Sequence, residues 1–135
     1  MMIEQDIETR ISPEDECDCV HPEAVNTARV TLARTGGMDE AAEMFAILGD
    51  PTRVRVLTAL RAGELCVTDL AVATGVNRTT VSHQLRVLRI HRLVDRRRVG
   101  KAVFYRIADH HVAALLDMAC AHAVEDDEED IEVSA

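Results

Sequence analysis

The sequence predicts a mainly α-helical fold carrying one small β-hairpin, and three observations lead there. Apolar residues make up 47% of the 135 residues, yet aromatics are only 2% and Trp is absent. A core restricted to Leu, Val, Ala and Ile points to packed helices. Six segments carry the caps, stops or apolar spacing of helices, whereas residues 93–98 and 102–107 read as two short strands joined at Val99-Gly100-Lys101. At this length the chain is expected to form one domain that gains from pairing as a homodimer.

Residues 1–22 are acidic and without helical periodicity, which predicts a flexible arm. Residues 23–34 form a candidate helix stopped by Thr35-Gly36-Gly37. A second helix runs from Asp39, a candidate N-cap, to about Leu48. Its Ala42, Phe45, Ala46 and Leu48 suit packing on the core or on a partner subunit. Asp50-Pro51 opens a third, with Asp as N-cap and Pro at the first helical position. Val54, Leu57, Thr58 and Leu60 form its inner face, and Ala62-Gly63 stops it. The fourth covers residues 66–74, with Leu70 and Val72 or Ala73 inward and Gly75 as C-cap.

After the Gly75-Val76-Asn77 turn comes NRTTVSHQLRVLRIHR, residues 77–92. Val81, Leu85 and Leu88 fall at the i, i+4, i+7 spacing of a buried stripe. Arg78, Thr79, Thr80, Ser82, His83, Gln84, Arg86 and Arg89 lie largely off that stripe. Hydroxyls, an amide and guanidinium groups on one helix face suit base edges and phosphates in a DNA major groove. Two helices about a Gly-containing turn, the second of them basic, make a helix-turn-helix. In the hairpin, Val103, Tyr105 and Ile107 alternate as a half-buried strand should. Arg96, Arg97, Arg98 and Lys101 near its tip read as a basic wing for phosphates or the minor groove. The last helix starts at its N-cap Asp109 and runs to about Val124 on Val112, Leu115, Leu116 and Ala119. This order is a winged helix-turn-helix over residues 23–125, with residues 126–135 left as an acidic, disordered tail.

Net charge is -9, which by itself argues against a polyanionic partner. The distribution of that charge argues the other way. Residues 51–108 hold twelve Lys or Arg and three acids, a net of +9, while the flanks hold three basic and twenty-one acidic residues, a net of -18. A basic middle between acidic ends is an electrostatic footprint for a polyanion, and with the helix-turn-helix the expected partner is double-stranded DNA. No run approaches the roughly 18 apolar residues of a membrane span, and the acidic start is unlike a signal peptide. The expectation is a cytoplasmic protein with no membrane partner.

Two groups of residues have the chemistry of metal ligands. Asp109, His111, His122 and Glu125 form Asp-x-His, ten residues, His-x-x-Glu. On one helix, His111 and His122 fall within roughly 20° of the same face but about 16 Å apart along the axis. Zinc–ligand bonds are about 2 Å long, so the two cannot hold one ion. Two antiparallel copies of the helix resolve this, Asp109 and His111 of one subunit facing His122 and Glu125 of the other, twice per dimer. Four such ligands close a zinc shell, tolerate cobalt, and leave no open position for catalysis. The second group is Cys17, Cys19 and His21 on the arm with Cys66 and Asp69 at i, i+3 on the fourth helix. In a reducing compartment a Cys-x-Cys near His and acids favours a metal over a disulfide. Thiolates favour softer ions such as cadmium, lead or zinc. Cys120 reads as core packing, and His91 and His110 as exposed histidines.

Gly49-Asp50-Pro51-Thr52-Arg53, Glu64-Leu65-Cys66-Val67-x-Asp69-Leu70 and Val81-Ser82-His83-Gln84-Leu85-Arg86-x-Leu88 resemble the ArsR/SmtB family of bacterial metal-sensing repressors. Tyr105-x-Ile107-x-Asp109-x-His111 belongs to the same pattern, and the resemblance covers residues 39–125. The Cys-x-Cys arm is similar to that of the zinc, cadmium and lead sensors. The resemblance implies a dimeric repressor that binds an inverted-repeat operator when metal-free and is released by metal, derepressing efflux or sequestration genes. The C-terminal helix pattern is complete here. Thr68 stands where some cadmium and lead sensors carry a second cysteine near Cys66, which tilts the expectation towards zinc. No enzymatic role and no small-molecule substrate are expected. A thiol-based redox or arsenite-sensing repressor using Cys17, Cys19 and Cys66 is the alternative on the same fold.

Overall fold

The computed structural model describes the backbone of residues 19–134 and the side chains of residues 19–125. The chain divides into two units, residues 1–38 and 39–135. The first contains helix α1, Pro22–Arg34, with Pro at its start and no buried residue. The hydroxyls of Thr27, Thr31 and Thr35 each donate to the carbonyl four residues back.

The second unit is built on α2 (Met38–Leu48), α3 (Pro51–Leu60), α4 (Val67–Thr74), α5 (Arg78–Ile90), strands β1 (Val94–Val99) and β2 (Ala102–Ile107), and α6 (His110–Ser134). Its core is aliphatic. Val56, Leu57 and Leu60 of α3 meet Leu70 of α4, Val81, Leu85 and Leu88 of α5, Leu93 and Val94 at the entry to β1, and Val112 and Leu116 of α6. Met44, Ile47 and Leu48 of α2 pack against this cluster.

Local chemistry sets the boundaries. Asp50 caps α3 by accepting from the Arg53 backbone N–H at 2.9 Å, and Pro51 follows it. Gly75 ends α4 at φ +71, a left-handed conformation that costs glycine little. β1 and β2 pair antiparallel from Val94↔Ile107 to Val99↔Ala102, so Gly100 and Lys101 make a two-residue turn with Gly100 at φ +61. Leu65 adds a bridge to the open side of β2, exchanging both backbone hydrogen bonds with Tyr105 at 3.1 and 2.9 Å.

Several inward faces differ from the sequence expectation. In α3, Val56 is buried, while Thr58 is exposed and donates its hydroxyl to the Val54 carbonyl. In α4, Val72 is 81% exposed and Ala73 is exposed. Leu70 faces the core as expected, and Thr74, four residues on, takes the second inward place. An eight-residue helix packs only one edge, so a single i, i+4 pair suffices and Thr74 hides its hydroxyl by donating to the Leu70 carbonyl. Helix α2 begins at Met38, and its Ala42, Phe45 and Ala46 face solvent in the single chain, with Phe45 59% exposed. Cys120 is exposed rather than part of the core. Helix α6 runs to Ser134 instead of stopping near Val124, through residues that the sequence reading assigns to a disordered tail. Residues 126–134 hold helix-forming Glu and neither Gly nor Pro, so no stop signal interrupts the helix.

Candidate nucleic-acid interface and metal ligands

Helix α5 is held by three features. Asn77 caps its start, Oδ1 accepting from the Thr80 backbone N–H at 2.8 Å. Val81, Leu85 and Leu88 are fully buried and anchor one side. At its end the Leu93 N–H donates to the Leu88 carbonyl at 2.8 Å and the Arg92 N–H to the Arg89 carbonyl at 3.0 Å, with Arg92 at φ +59. This is a Schellman stop with arginine where glycine is usual, sealed by buried Leu88 and Leu93.

The outward face then carries Arg78, Thr79, Ser82, His83 and Arg86, all exposed, with Thr80 and Arg89 half-buried beside it. Gln84 sits apart on the half-buried flank, where its Oε1 accepts from Arg53 Nε at 2.8 Å. Arg53 also donates to the Ile47 carbonyl at 3.3 Å, so one guanidinium joins the end of α2 to α5. The sequence reading places Gln84 on the DNA-reading face. Its partner Arg53 lies thirty-one residues upstream and leaves no local signal.

The wing arginines differ among themselves. Arg96, Arg97, Arg98 and Lys101 are all exposed, and the difference lies in their partners. Arg97 forks onto Glu64, its Nη2 lying 2.7 Å from Oε2, and Arg106 adds a longer contact of 3.9 Å to Oε1. Glu64 was not among the residues expected to matter.

Among the metal-ligand candidates, Asp109 and His111 are brought together. Asp109 caps α6 by accepting from the Val112 N–H at 3.1 Å, and its Oδ1 lies 3.5 Å from His111 Nδ1. That backbone hydrogen bond lowers the Asp109 pKa below its ordinary 3.8. Desolvation opposes the shift, and His111 lowers it further. The His110 ring stands 4.0 Å from that of His111, centroid to centroid. His122 and Glu125 are exposed further along α6, roughly 16 and 21 Å from His111 by helical rise. Cys66 is half-buried at the N-cap position of α4 without a side-chain cap bond, and Asp69 is exposed in the first turn. Cys19 and His21 are exposed in the first unit, and Cys17 lies outside the described residues. Among the described residues of one chain, no three His, Cys, Asp or Glu side chains converge as a metal cage.

Residues 50–96, from the α3 cap to the middle of the first wing strand, match the family model described as bacterial regulatory protein, arsR family. A transcriptional repressor SmtB homolog of Synechocystis is 44% identical over 113 residues, covering 82% of this chain and 86% of that protein. The chain belongs to the ArsR family. Another member, a cadmium resistance transcriptional regulatory protein CadC homolog of Staphylococcus aureus, is 38% identical over 80% of this chain and 91% of its own. A homodimeric winged helix-turn-helix DNA-binding domain from Mycobacterium bovis, a possible ArsR-family regulator, superposes with a TM-score of 0.61 at 38% identity. That superposition covers 65% of this chain and 82% of the other. The winged helix-turn-helix of this ArsR-family chain thus has the α4–α5 pair as its helix-turn-helix and β1–β2 as its wing.

Proposed function

We propose that this ArsR-family chain is a dimeric transcriptional repressor whose hold on operator DNA is weakened by zinc. The observation that carries the reading is the layout of α6. Asp109 and His111 are paired at its start, and His122 and Glu125 follow at a distance no single ion spans. A second copy running antiparallel supplies the missing half. Apolar Phe45, Met118 and Val124, all exposed in the single chain, offer the surface on which such a copy packs. The donor set of two imidazoles and two carboxylates suits zinc in a closed shell, with cobalt tolerated. With four protein ligands, no coordination position is left for a substrate, so the role is regulatory rather than enzymatic.

The α5 outer face enters the major groove through Thr79, Ser82, His83 and Arg86, with Arg78, Thr80 and Arg89 at its margins, and the wing meets phosphates. Because Val112 and Leu116 of α6 share one core with α5 and β1, fixing two α6 helices together fixes the spacing of two reading helices. Zinc bound to that arrangement favours the state poorer for DNA. The thiols of Cys17, Cys19 and Cys66, with His21 and Asp69, are further candidate ligands, of a chemistry suited to softer ions such as cadmium, lead or zinc. Zinc titration of the protein–operator complex tests the reading. Wild type should lose affinity by roughly 5- to 150-fold, and His122→Ala should bind DNA normally yet lose most of that response. A full zinc response in His122→Ala would remove α6 from the account.

A further inference from the structure

The wing carries three consecutive arginines, and strand alternation sends Arg96 and Arg98 to one face and Arg97 to the other. On that second face Arg97 meets Glu64. Its Nε lies 2.8 and 3.0 Å from the two carboxylate oxygens, and Nη2 lies 2.7 Å from Oε2. Glu64 is held in place, since Leu65 beside it is bonded to Tyr105 through both backbone groups, and its side chain is only 27% exposed. Arg106 of β2 approaches the same carboxylate at 3.9 Å. A guanidinium fork against a fixed carboxylate is the geometry with which arginine also grips a phosphate. Here the carboxylate oxygens already occupy the places that phosphate oxygens would take. Among the described residues, neither Arg96 nor Arg98 has an ion-pair partner.

We propose that Glu64 is a positioning residue that withholds Arg97 from DNA, so that the wing grips phosphates with Arg96, Arg98 and Lys101 alone. Two consequences follow, both resting on the DNA-binding reading. The wing binds DNA through one face, which sets its orientation. And its contribution to salt-dependent affinity is one charge smaller than its sequence suggests.

The test is the salt dependence of binding by the full-length, metal-free chain to a mixed-sequence duplex between about 50 and 200 mM salt, where each phosphate contact contributes about 0.9 to the log–log slope. Arg96→Gln should lower the slope by about that amount, whereas Arg97→Gln should leave it unchanged. Glu64→Gln should raise it by about 0.9, strengthening with affinity at low salt, and Glu64→Gln with Arg97→Gln should restore the wild-type slope. Circular dichroism reports whether each variant is folded, and Arg97→Gln is decisive by itself should Glu64→Gln fail to fold. A slope lowered by Arg97→Gln as much as by Arg96→Gln overturns the inference, as does a folded Glu64→Gln with the wild-type slope. Failure of the wild-type chain to bind any duplex at low salt would instead sink the DNA-binding reading, and this inference with it.

Discussion

Arg92 holds a left-handed backbone conformation at φ +59 because α5 must stop there and Leu93 must reach the core. For a residue with a Cβ that conformation costs roughly 1–2 kcal/mol, partly offset because glycine surrenders more entropy on folding, about 0.5–1 kcal/mol. Arg92→Gly should therefore stabilise the protein by up to about 1 kcal/mol, visible as a higher urea midpoint with unchanged slope. A lower midpoint would mean that the arginine side chain contributes more than its backbone costs. Asp109 supplies a pH-dependent term. Its folded pKa is depressed, first by the Val112 N–H, so its stabilising contribution is present above the ordinary value of 3.8 and is lost as pH falls through the lower folded value. Asp109→Asn keeps an acceptor for the cap but cannot titrate. Its thermal midpoint should drop less than that of wild type between neutral pH and about pH 3, and equal drops would show that the depressed carboxyl contributes nothing to acid sensitivity.

Among the elements, α6 shows which force holds it. Arg61 of the α3 C-cap forms an ion pair with Asp117, but the two side chains are 40% and 56% exposed, and such pairs contribute at most about 1 kcal/mol. Leu116 and Val112 are nearly fully buried in the shared core. Leu116→Ala should cost about 2–5 kcal/mol and Asp117→Asn no more than about 1 kcal/mol, measured by chemical denaturation. The reverse ranking would make α6 an electrostatically docked helix, and its link to the reading helix correspondingly weaker. Leu85 plays the same anchoring part for α5, buried between half-buried Gln84, which Arg53 holds, and outward Arg86.

For the whole molecule, charge is segregated: +9 over residues 51–108 and -18 over the flanks. The net negative charge therefore does not oppose DNA binding through the basic segment, and affinity should fall steeply with salt. On the proposed mechanism zinc and DNA draw on one conformational equilibrium, and linkage then requires saturating operator DNA to weaken zinc binding by the factor with which zinc weakens DNA binding. Zinc titrations with and without duplex measure that factor from the other side. Unequal factors would show that a third state, not a two-state switch, connects the ligands.

Residue order alone was enough for the sequence of elements, the caps at Asp50 and Asp109, the Gly75 stop, the buried stripe of α5 and the hairpin of the wing. All of these rest on residues a few positions apart, whose spacing is set by helix and strand geometry. Both groups of metal ligands also stand out as patterns in the chain, though no pattern shows which of them meet in space. The pairing of side chains far apart in the chain had to come from the folded structure. Nothing near Gln84 in the chain announces its bond to Arg53, and nothing near Arg97 announces its ion pair with Glu64. The inward face of short α4 likewise could not be chosen from eight residues whose apolar positions, Val67, Leu70, Ala71, Val72 and Ala73, spread around the helix. Periodicity reports which residues share a face. The partner across that face is set by packing between distant segments, and no local rule encodes it.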